Sequence, residues 1–99
     1  MKNNPKSGVI KVLVADDHAV VRQGIKQILS KTQDLSVIDE AEDGNQVLEK
    51  IKDQMPDVVV MDIEMPVNSS WEVLPQLKSL YPKLPVIILS IHSEDMYGM

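Results

Sequence analysis

The chain contains no cysteine among its 99 residues. That removes both a disulfide framework and any thiolate metal site, and a chain without disulfides suits the reducing cytoplasm, the compartment expected here. Basic residues are also in short supply: ten lysines and arginines stand against fifteen aspartates and glutamates, for a net charge of −5. They are scattered from Lys2 to Lys83 rather than gathered on one stretch. Phosphate backbones are held by concentrated positive charge, so no direct nucleic-acid binding is expected. No uncharged stretch approaches the roughly 18 residues of a spanning helix, and the polar start "MKNNPKSG" is no secretory signal. A soluble chain without membrane association follows. Internal repeats are missing, and the one biased segment is the amino-terminal tail, residues 1–8, expected to be flexible.

What is present is an apolar content of 43%, spread evenly enough for one hydrophobic core over residues 9–99. Three runs rich in β-branched residues predict strands: "VIKVLVA" (9–15), "VVVMDI" (58–63) and "PVIILS" (85–90). A fourth, "LSVIDEA" (35–41), sets Leu35, Val37 and Asp39 against Ser36, Ile38 and Glu40, the alternation of an edge strand. Between the strands, apolar residues recur at helical spacing: Val21, Ile25, Ile28 and Leu29; Val47, Leu48, Ile51 and Met55; Val73, Leu77, Leu80 and Tyr81. Pro75 predicts an irregular start to the third helix, with Ser69 or Ser70 as its cap. Strands alternating with helices call for right-handed crossovers, hence an α/β fold with an open, doubly wound parallel sheet.

Ligands of such sheets bind beyond the carboxyl ends of the strands. Asp16 and Asp17 end the first predicted strand, Asp62 lies near the end of the third, and Ser90 ends the fourth. One of the paired acids could simply cap the following helix, but that accounts for one and not both. Three converging carboxylates are not comfortably ionised together without a cation, and an all-oxygen donor set suits Mg2+. Asp62, inside "VVVMDIEMP", has an orientation fixed by its apolar surroundings, and a carboxylate oxygen can act as nucleophile toward phosphorus. Ser90 could then hydrogen-bond a phosphoryl oxygen. His18 is more economically read as a helix-start neighbour than as a metal ligand, and Trp71 either faces a partner or packs over the start of the third helix.

From Ile10 to Met99 the chain resembles the receiver domains of two-component response regulators, through "VLVADDH", "DVVVMDIEMP" and "VIILSIHSED" in register with the strands. "DDHAVVRQGI" and "LSIHSEDMY" are most similar to the NarL/FixJ branch, whose receivers precede a LuxR-type helix-turn-helix domain. The resemblance implies a flavodoxin-like sheet of order 2-1-3-4. It implies that Asp62 accepts a phosphoryl group from a histidine kinase, and that Asp16, Asp17 and Asp62 hold Mg2+ with the backbone carbonyl of Glu64. Ser90 matches the hydroxyl that senses the phosphoryl group, and Pro66 matches the proline of the loop after the acceptor. A DNA-binding output, if present, would lie in a carboxyl-terminal domain outside these residues.

Family members also carry a fifth strand, an aromatic switch residue on it and a following lysine, and none of these is found before Met99. The expectation is a carboxyl-terminally incomplete receiver with an apolar fourth-strand edge open to self-association and an uncovered patch on one sheet face. Ser69 and Ser70 replace an acid and a glycine common in the family, and a positive φ there would strain a serine. Two other readings stay open: a receiver-like interaction module that takes no phosphate, and a Mg2+-dependent phosphotransferase or phosphatase. The sequence favours a switch over a turnover enzyme, because the motifs of the phosphotransferase families are not met.

Overall fold

The computed structural model describes residues 8–63, 65 and 69–89. Seven elements alternate along them: β1 (Ile10–Ala15), α1 (Ala19–Leu29), β2 (Leu35–Ala41), α2 (Gly44–Asp53), β3 (Val58–Asp62), α3 (Ser70–Leu80) and β4 (Val86–Leu89). The strands form one sheet of order β2-β1-β3-β4 with every pairing parallel, the expected flavodoxin-like topology. β2 is an edge strand, and β4 is the other end of the sheet among the described residues.

The two sheet faces are covered unequally. Leu13, Ala15, Val59 and Met61 point to one side, where they join Val47 and Ile51 of α2, Val73 and Leu77 of α3, and Met65 and Leu84 in a closed apolar cluster. α2 and α3 also touch each other, which seals that side. The opposite face carries α1 alone among the described residues. Val12 and Val14 are buried there, but Val58 and Val60 are only half-buried and Ile87 is 51% exposed. Paired registers Val14↔Val60 and Val60↔Ile87 place these side chains in one row. Among the described residues, this row runs from buried Val14 through half-buried Val60 to exposed Ile87, so the apolar surface open on this face lies at its β4 end.

Three positions in the predicted helical stripes face elsewhere. Ile28 is exposed because α1 turns the row Val21, Ile25, Leu29 inward, and Leu80 is exposed because α3 buries the row Val73, Leu77 with Tyr81. Met55 lies beyond the C-cap Gln54 and is exposed too. The third helix also corrects the expectation of an irregular start. Ser69 is its N-cap, and the Glu72 carboxylate accepts from the Ser69 N–H at 2.9 Å, closing the reciprocal box that ties a helix start together. Pro75 falls in the second turn, where the donor it removes is the one that would reach the Trp71 carbonyl. Ser69 has φ −59°, so it carries none of the feared strain.

α2 starts on Asp43, whose carboxylate accepts from the Gln46 N–H at 2.9 Å, while the Gln46 side chain accepts from the Glu42 N–H at 2.9 Å. Removing such a cap costs about 1 kcal/mol. Asp43→Ala is accordingly expected to lower the unfolding free energy by about 1 kcal/mol in a urea titration.

β2 holds an irregularity that its sequence conceals. Val12 pairs with Val37 but Leu13 pairs with Asp39, so Ile38 is an extra residue against β1. This bulge reverses the alternation. Glu40 comes to lie beside Val14 on the α1 face, and Asp39 beside Leu13 on the α2 face, each opposite to the side a strict period of two assigns from Val37. Lysines on both helices answer: Lys26 of α1 sits 2.6 Å from Glu40, and Lys50 of α2 sits 3.3 Å from Asp39.

Candidate functional site

Parallel strands bring the ends of β1 and β3 to one rim, and with them the acids. Asp16, Asp17, His18 and Asp62 each offer a donor atom, and these atoms lie within 4.8 Å of one another. Asp16 and Asp62 are buried, at 4% and 7% exposure, whereas Asp17 reaches solvent. Glu64, Pro66 and Ser90, the remaining positions expected to take part, lie outside the described residues, as does His92.

The opening of α1 shows what each acid of the pair does locally. The N-cap position belongs to His18, whose own side chain makes no cap bond. The Asp16 carboxylate instead accepts from the His18 N–H at 2.8 Å, so one acid does serve the helix start, from two residues upstream. His18 Nδ1 lies 3.0 Å from both Asp16 Oδ1 and Asp17 Oδ1. The hydrogen bond to Asp16, with the charge of Asp17 second, pushes the imidazole pKa above its ordinary value. His18 is thus a charge partner of the acid pair.

Two residues at the site are held through both their N–H and their carbonyl. The Asp16 N–H donates to the Ala41 carbonyl at 2.9 Å, and the Asp16 carbonyl accepts from Arg22 Nη1 at 2.6 Å. The Ile63 N–H, one residue beyond Asp62, donates to the Leu89 carbonyl at 3.0 Å, and the Ile63 carbonyl accepts from the Ser70 hydroxyl at 2.6 Å. Ser70 is 1% exposed, so its hydroxyl is committed to that bond. Ser70 is thus a buried tether from α3 to the residue after Asp62. Arg22 and Ser70 were not predicted as parts of the site. The only sequence signal for Arg22 is a cation bordering the inward row of α1.

Arg22 is itself fixed by Glu40, which accepts from its Nε at 2.8 Å and from Lys26 Nζ at 2.6 Å. These bonds, Lys26 first and Arg22 second, hold the Glu40 carboxyl below the ordinary glutamate range. A depressed acid contributes stability above its unfolded pKa and loses it as pH falls through the folded value. The contribution of Glu40 is therefore expected to be intact above about pH 4.5 and to fade below it. Urea midpoints recorded from pH 7 downward should fall more steeply for the wild type than for Glu40→Gln; parallel curves would show that the carboxylate adds nothing.

A four-stranded parallel sheet of this order, flanked by three helices and carrying an acidic cluster at its carboxyl rim, defines a flavodoxin-like α/β domain with an acidic edge. The chain belongs to the response regulator receiver domain family, which it matches over residues 12–99. It is 34% identical over 97 residues to the transcriptional regulatory protein DegU of Brevibacillus brevis, covering 98% of this chain and 41% of that protein. It is 44% identical over 85 residues to a protein-glutamate methylesterase/protein-glutamine glutaminase of Caldanaerobacter subterraneus subsp. tengcongensis, covering 86% and 23%. Among solved structures, the signal receiver domain of a NarL response regulator from Mycobacterium tuberculosis superposes with TM-score 0.78 at 34% identity, over 89% of this chain and 71% of that one. The chain spans about two fifths of the length of most of the curated relatives it matches, and these are mainly transcriptional regulators.

Receiver domains interact with histidine kinases and generally bind Mg2+ at an acidic cluster, and this chain has such a cluster. Its donor chemistry fits that ion: carboxylate oxygens, no sulfur, and two of the three acids held at buried strand ends. No described helix is long and apolar enough to cross a membrane.

Proposed function

We propose that this chain is the phosphoacceptor unit of a cytoplasmic response regulator, taking a phosphoryl group on Asp62 from a histidine kinase and passing the change to a transcriptional output. The observation that carries the reading is the meeting of Asp16, Asp17 and Asp62 at the carboxyl rim of the sheet. In the transfer, a carboxylate oxygen of Asp62 forms a bond to phosphorus as the bond from phosphorus to the donor nitrogen breaks. The histidine takes the electron pair and later a proton. Asp16, Asp17, Asp62 and the Glu64 carbonyl would hold Mg2+, which would supply charge neutralisation to the phosphoryl oxygens.

The residues of the chain do the rest. Burial of Asp62 at the end of β3 fixes the direction of its carboxylate, and Ile63, held by Leu89 through its N–H and by Ser70 through its carbonyl, keeps the strand end from swinging. The Ser90 hydroxyl is assigned the sensing of the new phosphoryl group. The unit is a switch and not a turnover enzyme, because its product is its own modified side chain. Self-association through the outer edge of β4, the end of the sheet among the described residues, belongs to the same reading.

Incubation with acetyl phosphate and Mg2+ tests the proposal. A single hydroxylamine-labile phosphoryl adduct in the intact mass is expected, and it should vanish with EDTA. An unmodified chain under saturating donor and metal would instead favour an interaction module that takes no phosphate.

A further inference from the structure

The peptide unit that joins Asp16 to Asp17 sets the angle between two carboxylates that repel one another. Its carbonyl belongs to Asp16, and Arg22 Nη1 grips that carbonyl at 2.6 Å. Rotation of this unit would turn both acids at once. The opposite side of Asp16 is already fixed by the bond from its N–H to Ala41. Arg22 therefore holds the carbonyl side of Asp16, and does so without occupying any carboxylate oxygen a cation would need.

The guanidinium is suited to this because it is itself pinned. Its side chain is 13% exposed, and Nε donates to Glu40 while Nη1 reaches Asp16. Two bonds leaving one planar fork in different directions define its orientation, which a lysine could not reproduce. Glu40 stands on the α1 face only because the bulge at Ile38 turns it there. One connected set thus runs from the irregularity in β2, through Glu40 and Arg22, to the backbone of the acid pair.

We propose that Arg22, oriented by Glu40, is a positioning residue for Mg2+ binding at Asp16 and Asp17. The inference rests on the reading of those acids as a Mg2+ site. Charge and geometry predict opposite signs here. A cation beside the site would by charge alone repel Mg2+, so deleting it would tighten binding. Loss of a group that orients the ligands weakens metal binding, typically by 10–100-fold.

The test is titration of the chain with Mg2+ alone, followed by calorimetry, for the wild type, Arg22→Ala, Arg22→Lys and Asp62→Asn, with urea unfolding of each recorded in parallel. Arg22→Ala is expected to weaken the Mg2+ Kd by about tenfold. Arg22→Lys keeps the charge but loses the fork, and is expected to fall between Arg22→Ala and the wild type. That variant decides the matter if Arg22→Ala does not fold. Unchanged or tighter Mg2+ binding in folded Arg22 variants would overturn the inference while leaving the site intact. A folded wild type that takes up no Mg2+, or an Asp62→Asn variant that binds it equally well, would instead overturn the reading of the acids and the inference with it.

Discussion

Asp62→Asn is expected to abolish phosphoryl labelling altogether and to weaken Mg2+ binding by at least about tenfold, the two largest functional losses available from a single atom exchange in this chain. Asparagine is nearly the same size, so the packing around the end of β3 survives. What disappears is a negative oxygen that can attack phosphorus and share a cation. The three acids then become two, so their repulsion falls and the folded state loses little. A rise in apparent stability on adding Mg2+ should be clear in the wild type and blunted in the variant, since a ligand stabilises only the fold that binds it. Labelling that persisted at wild-type level in Asp62→Asn would move the acceptor to another residue, and the assignment of Asp62 would fall.

The largest structural loss is expected from Leu13→Ala. Leu13 sits on the central strand, is 1% exposed, and belongs to the cluster that unites α2 and α3 with the sheet. Truncating such a leucine costs about 2–5 kcal/mol, through lost burial and the cavity left behind. Small domains have only about 5–15 kcal/mol in all, so the folded population would be severely depleted. Val60→Ala offers the contrast, because Val60 faces the sparsely covered side and is half-buried already. Its loss is expected to be about 1 kcal/mol. Equal losses for the two in urea titrations would show that both faces are equally closed, contrary to the burial pattern.

Much of this architecture could be read from the residues. β2 occupies Leu35–Ala41, the stretch assigned from its composition, and its broken apolar pattern put it correctly at an edge. The three acids met because parallel strands must deliver their carboxyl ends to one rim, a consequence of topology rather than of any local motif. The helical stripes were legible only to within one row. Ile28 and Leu29 are both apolar, as are Leu80 and Tyr81, and periodicity does not say which of two neighbouring rows the sheet will accept. Arg22 and Ser70 escaped for a different reason. Each acts on a backbone carbonyl, a group every residue carries, so no pairing of side-chain types marks the partner in advance. Glu40 was placed with Ile38 by simple alternation and is found on the other side.

The bulge at Ile38 makes β2 a strand with a change of phase at its middle. Its amino-terminal half keeps step with β1 as written, and its carboxyl-terminal half runs one residue late. Two adjacent acids, Asp39 and Glu40, are thereby handed to two different helices, each with its own lysine. Were β2 to pair in plain register, with Ile38 opposite Leu13, Asp39 would fall beside Val14 and Glu40 beside Ala15, sending Glu40 toward Lys50 and stranding Arg22. Deleting Ile38 would instead remove the bulge and leave both acids on their present faces. The step in register, more than the identity of any residue in the strand, thus governs which helix answers to which charge.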